Sequence, residues 1–159
     1  MTDSYPTPFQ QGRLDSLCGI YSIVNTIHAL YGPLTRPGAT DLLIDILEHL
    51  EEQSITTLER LAEGTNMADL SKSLQLASIT YPIRWARPFH QKTGVTLDDY
   101  WLYLDSFFAD KHGIVIINVV KGELYDHWTT AYRVSPKSLS LLDSSVMQRI
   151  AKRHCTIDE

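Results

Sequence analysis

Wound as a helix, the stretch DSLCGIYSIVNTIHALY from Asp15 to Tyr31 is apolar on nearly every side. Leu17, Ile20, Tyr21, Val24 and Ile27 line one face, and Ile23, Ala29 and Leu30 widen it until few sides stay polar. A helix of that kind must be buried, so the rest of the chain has to wrap it. Gly32 and Pro33 follow as a stop signal, and Asp15 or Ser16 offers a cap for the first turn. That first turn also holds a reactive side chain. Cys18 faces the positive end of the helix dipole, which favours thiolate, the nucleophilic form. Gly19 beside it leaves room for a close approach. A cysteine by itself is more often a small buried hydrophobe, so its partners decide what it means.

At 159 residues and 43% hydrophobic content the chain suffices for one well-buried core, and residues 1–159 read as a single domain. Residues 1–14, with two prolines and two glutamines, read as an extended lead-in to the helix. After a Pro/Gly loop from Gly32 to Gly38, Leu42, Leu43, Ile46, Leu47 and Leu50 recur at helical spacing within Ala39 to Gln53. Ile55 to Glu63 and Met67 to Ala77 continue the helical pattern, separated by Gly64, with Asn66 as a cap. The period then changes. Ile79, Tyr81, Ile83 and Trp85 alternate within ITYPIRWARPF, an edge strand because of Pro82. Thr96 caps an aromatic-rich helix from Leu97 to Lys111, which Gly113 ends, and the aromatics from Trp101 to Phe108, like Trp85, fit a core better than a ligand platform. Ile114 to Val120 is β-branched throughout and reads as a central strand. Lys121 and Gly122 form a turn, and His127 to Val134 and Leu139 to Leu142 are two further antiparallel strands. From Gln148 a last strand or a short helix fits equally well.

A cysteine nucleophile needs a base that takes its proton and later returns one to the leaving group, and histidine suits that exchange. His28 lies on the buried helix, roughly 15 Å from Cys18 by helical rise, and fits a satisfied core histidine. His49 sits among glutamates, His90 and His112 fall in loop or helix-end positions, and His154 belongs to the tail. His127 opens the strand DHWTTAYRV, and the following strand ends in LLDSS with Asp143. A three-residue loop of Ser135, Pro136 and Lys137 pairs Val134 with Ser138 and Thr129 with Asp143, on the same face as His127. The backbones are then about 7 to 8 Å apart, and the side chains can meet. A two- or four-residue loop sends them to opposite faces unless a bulge intervenes, so the pairing of His127 with Asp143 demands an odd loop or a bulge. Asp126, next to the histidine, points to the other face of the strand. Trp128 either belongs to the core or walls a cleft.

DSLCGIYSIVN, followed by HWTTAYRV and LLDSS, resembles the papain-like cysteine peptidase superfamily, in style its small bacterial C39-like peptidase domains. The resemblance implies an α+β papain-like fold: a central N-terminal helix bearing the cysteine, and a helical first half packed on an antiparallel β-sheet from the second. It implies Cys18 as nucleophile, His127 as base, Asp143 as orienting residue, and Gln11, with Gln10 as second choice, as the oxyanion glutamine. Both glutamines lie slightly further before the cysteine than is usual in that family. The segment from Gly32 to Ala77 carries no family signature.

The function expected is a cysteine hydrolase, a thiol protease or amidase, working through a thioester acyl-enzyme on a peptide or protein substrate. The same triad also serves acyl transfer or deamidation, and the fold serves a bacterial toxin or effector domain with an immunity or inhibitor protein as partner, or a non-catalytic binding module. The formal charge of −5 without a basic run argues against nucleic acid as partner. No metal-ligand spacing, phosphate loop or dinucleotide fingerprint occurs, so no cofactor and no metal are expected. No segment suits a membrane and the first residues lack a secretory pattern, which leads to a cytoplasmic expectation, with export by a dedicated secretion system left open. Cys18 and Cys155 are expected as free thiols.

Overall fold

The computed structural model describes residues 5–12, 15–53, 56–110, 113–121 and 124–156. Five α-helices and a four-stranded antiparallel sheet give an α+β architecture. Its centre is helix α1, Cys18–Leu30, with Ile20, Ile23 and Ile27 fully buried. Leu17 occupies the N-cap position without any side-chain cap. Neither Asp15 nor Ser16 caps it, because the Asp15 carboxylate is spent on the loop ahead, accepting from Gly12 N at 2.7 Å and Leu17 N at 3.3 Å.

Helix α2, Arg36–Glu52, begins earlier than the periodicity suggests. Thr35 caps it and Pro37 lies in the first turn, where a missing N–H costs nothing. Ala39, Leu42, Ile46 and Leu50 form its buried stripe. Helices α3, Thr57–Glu63, and α4, Met67–Thr80, each start with a capping box, Thr56 with Glu59 and Asn66 with Asp69. Ile55 lies outside the described residues. Between the two helices, Arg60 Nη1 donates to Asp69 Oδ2 at 2.8 Å and to the Gly64 carbonyl at 3.1 Å, an ion pair almost shut off from solvent. Helices α1, α2 and α4 share one core with Trp128 and Ile116.

The edge strand expected from Ile79 to Phe89 does not form. Helix α4 continues to Thr80, taking Ile79 with it, and residues 82–87 belong to neither helix nor strand. Two prolines in this stretch, Pro82 and Pro88, cannot donate to a ladder. Helix α5, Leu97–Asp110, follows, capped by Thr96, whose Oγ1 accepts from Asp99 N at 3.2 Å.

Strands β1, Val115–Lys121, β2, Leu124–Val134, β3, Ser138–Leu142, and β4, Arg149–Ala151, lie in the order β1-β2-β3-β4. The β-branched strand β1 is therefore an edge, not a central strand. Its unbroken apolar run has another cause: Ile116 packs into the α1 core while Val115 and Ile117 pack with α5 on the opposite face. A strand covered on both faces loses the alternation of a half-buried one. The chain after Gln148 contains both elements that its sequence allowed, β4 and then a 3-10 turn at Lys152–His154.

The β2-β3 hairpin decides the site. Ser135 and Ser138 exchange backbone hydrogen bonds of 2.8 and 3.4 Å around Pro136 and Lys137, a two-residue turn rather than the three-residue loop, and Val134 pairs with Leu139. Continued unbroken, that register would turn Asp143 away from His127. A one-residue bulge between Ala131 and Arg133 resets it, so that Thr130 pairs with Leu142. The bulge, not the loop, puts His127 and Asp143 on the same face.

Candidate active site

Cys18 enters from the first turn of α1, His127 from β2, and Asp143 from the residue just past β3. Their side chains meet. His127 Nε2 lies 2.7 Å from Asp143 Oδ1, and the imidazole also hydrogen-bonds the Cys18 side chain, which leaves Nδ1 as the ring nitrogen facing sulfur. The Trp128 backbone N–H donates to Cys18 Sγ at 3.4 Å, so β2 supplies both the histidine and a donor to the sulfur. The exposures are small, 6% for Cys18, 7% for His127 and 2% for Asp143.

Asp143 is held from several directions. Its Oδ2 accepts from Ser145 N at 2.8 Å, Ser145 Oγ at 2.7 Å and Met147 N at 2.9 Å. Ser145 Oγ also stands 3.3 Å from His127 Nε2, bridging the pair. Burial by itself pushes the Asp143 carboxyl up. The hydrogen bonds from His127, Ser145 and Met147, with the Thr129 hydroxyl against it, outweigh burial and hold the carboxyl well below the usual range. The hydrogen bond to Asp143, then that to Cys18, pushes His127 up to about 9 against the opposing effect of burial. At neutral pH the ring is thus an imidazolium locked to a carboxylate.

The sign of the pH effect follows from that direction. The folded-state value of about 9 exceeds the ordinary 6.5, so the stabilisation is complete below about 6.5 and is lost as pH rises through about 9. Thermal melting followed from about pH 6 to about pH 10 is expected to decline more steeply for the wild type than for His127→Ala.

The lead-in segment is strapped to the same place. Asn25, buried on α1, accepts from Phe9 N at 2.7 Å and donates to Phe9 O at 3.1 Å. His28 is the satisfied core histidine expected, its Nδ1 accepting from Leu34 N at 2.8 Å and its Nε2 lying 3.2 Å from Thr7 O. Burial pushes its pKa down. Further along, Gln11 N donates to Ser144 O at 3.0 Å, and Gln11 Oε1 accepts from Ser144 Oγ at 2.9 Å. That contact fixes the amide's orientation, and Gln11 Nε2 makes no hydrogen bond among the described residues. Gln10 instead donates its amide to the Asp143 carbonyl at 3.0 Å.

No protein-family model, curated protein or solved structure matches this chain.

The site is therefore read from its own residues. Ser144, Ser145 and Asn25 were not singled out by sequence reasoning, although Asn25 is a polar residue on an otherwise apolar helix and two serines after a strand-ending aspartate signal a turn. Trp128 is buried, and its Nε1 donates to Thr65 O at 2.6 Å, so it belongs to the core rather than to an open cleft wall. Gly19 is what lets Thr65 approach, since a Cβ there would stand 2.6 Å from Thr65 Cβ. Gly19→Ala is expected to destabilise the protein by about 1–3 kcal/mol, measured by urea unfolding, because neither backbone can yield in a packed core. Cys155 is free like Cys18, as expected, and burial pushes its thiol up. No group of side chains suited to a metal occurs among the described residues.

Proposed function

We propose that this protein is a cysteine hydrolase of papain-like architecture that cleaves a peptide or amide bond through a thioester. The observation that carries this reading is the continuous chain of contacts from Cys18 through His127 to Asp143 at the start of a buried helix. Cys18 Sγ attacks the carbonyl carbon, and the His127 imidazolium gives its Nδ1 proton to the leaving amine as the C–N bond breaks. Water then attacks the thioester, His127 takes the water's proton, and the C–S bond breaks. Asp143 orients the ring and stabilises its charged form. The Cys18 N–H and the Gln11 side-chain amide serve the oxyanion, and the orientation of Gln11 by Ser144 favours Gln11 over Gln10 for that role. An amine in place of water gives acyl transfer, and a side-chain amide as substrate gives deamidation, by the same two steps.

Alkylation by iodoacetamide near neutral pH tests the reading, with the modified cysteine identified by peptide mass. Cys18 is expected to react much faster than Cys155, and the difference is expected to shrink in Asp143→Asn. Equal rates at the two cysteines would overturn it. The burial of Cys18 and His127 favours, as a second reading, a non-catalytic module of the same architecture, which expects no alkylation of Cys18 in the folded protein. For the hydrolase, kcat/KM is expected to fall as pH rises above about 9, where His127 loses its proton. In Asp143→Asn that alkaline limb is expected at lower pH, read from the pH profile.

A further inference from the structure

The segment from Arg84 to Lys92 stands apart from the site just described. Residues 70–97 contain Lys72, Arg84, Arg87 and Lys92 and no aspartate or glutamate. Their charge of +4 against −5 for the whole chain leaves −9 on the remainder. None of the four cations forms an ion pair among the described residues. Arg84, Trp85, Ala86 and Arg87 are all exposed, Trp85 by 40%, where the sequence had placed Trp85 in the core.

This stretch is presented rather than loose. At one end Ile83 packs against the α1 core. At the other, Phe89 stacks on Tyr100 of α5 with ring centroids 4.3 Å apart and meets Tyr103 at 5.4 Å. Between these anchors the chain has no turn or bend from Pro82 to Arg87. The backbone amides of Arg84, Trp85, Ala86 and Arg87 make no hydrogen bond among the described residues. A straight, anchored segment with unused amides suits the addition of a partner strand. Its two arginines flanking a tryptophan are the residue types that dominate the energy of protein interfaces.

We propose that Arg84 to Arg87 is a docking segment for an extended acidic stretch of a partner protein, whose carboxylates pair with Arg84 and Arg87 and whose apolar side chain covers Trp85. Pairing with Arg, which presents a fork of donors, gives such a contact direction as well as charge. A nucleic acid fits less well, because four cations facing a remainder of −9 make a poor footprint for a polyanion.

The test uses a fluorescein-labelled decapeptide of alternating glutamate and valine, titrated with the full chain and followed by anisotropy. Wild type is expected to bind it, and to bind the matching lysine-valine peptide far less. Arg84→Glu/Arg87→Glu is expected to weaken binding by about tenfold or more, and Trp85→Ala by a smaller factor. Raising salt from about 50 mM to about 300 mM is expected to weaken binding in wild type but not in the double variant. Hydrogen exchange on the wild type gives a second readout, with slower exchange of the amides of Arg84 to Arg87 on peptide addition. Unchanged binding by a double variant of wild-type melting temperature, or unprotected amides, would overturn the proposal. So would tighter binding of an oligouridylate or of phosphatidylserine vesicles through the same arginines, or a wild-type dimer that the double variant disperses.

Discussion

Cys18→Ala is expected to reduce turnover of a mixed fluorogenic peptide library by about 10⁴-fold or more, because no acyl-enzyme can form without the sulfur. His127→Ala is expected to lose a comparable factor, since a nucleophile and its base act as one unit and their effects do not add. The measurement is initial rate at saturating enzyme, with melting temperature confirming that each variant is folded. Turnover retained in Cys18→Ala would remove the hydrolase reading altogether. The variant is also informative structurally. The Trp128 N–H loses its sulfur acceptor and the imidazole loses one of the two partners that raise its pKa. His127 in Cys18→Ala is therefore expected to titrate below about 9 by NMR, whether or not a substrate is ever found.

The largest effect on stability is expected at Arg60. Its ion pair with Asp69 measures 2.8 Å, with side chains only 12% and 2% exposed. Arg60→Met would leave the Asp69 carboxylate buried without its cation, which costs about 3–5 kcal/mol. In the double variant Arg60→Met/Asp69→Asn more than half of that loss is expected to return. The charge is gone, while the amide oxygen still accepts from Asn66 N, a contact of 3.4 Å in the wild type. Urea unfolding of the two variants beside wild type measures both terms. The site feels this pair indirectly. Arg60 holds the Gly64 carbonyl, the next residue Thr65 accepts from Trp128 Nε1, and Ser16 N donates to Leu61 O just before α1 begins. Loosening Arg60 loosens the floor under Cys18.

Much of the architecture is legible in local patterns. The all-round apolar character of Asp15 to Tyr31 predicts a buried helix, and α1 is the centre of the core. Asn66 and Thr96 announce the starts of α4 and α5 by capping chemistry that acts over three residues. Helical stripes such as Leu42, Ile46 and Leu50 survive because periodicity records which face is buried. Asp15 misleads for a related reason: its carboxylate has two local uses, a helix cap or a loop, and only the path of residues 11 and 12 selects the loop.

The strand order was not legible. Continuous β-branched sequence means cover on both faces, and β1 obtains that cover at an edge from α1 and α5, so composition alone could not separate edge from centre. Alternation at Ile79 to Trp85 likewise suggested pairing that never occurs. A strand needs a partner with free amides and carbonyls, and here the helix propensity through Thr80 and two prolines left none to be offered.

For the candidate site the division is sharper. By itself the sequence determined the residue types and their order, Cys18 on a helix start and His127 and Asp143 on neighbouring strands, because helices and hairpins arise from contacts close along the chain. It also set a condition, an odd loop or a bulge, for the two strand residues to meet. Only the tertiary structure decided how the condition is met: the turn at Pro136 and Lys137 takes two residues, and the bulge at Tyr132 restores the register. Side chains alternate between faces with period two, so one inserted residue moves His127 and Asp143 from opposite faces to the same one. Whether that residue is inserted depends on packing against elements far away in sequence.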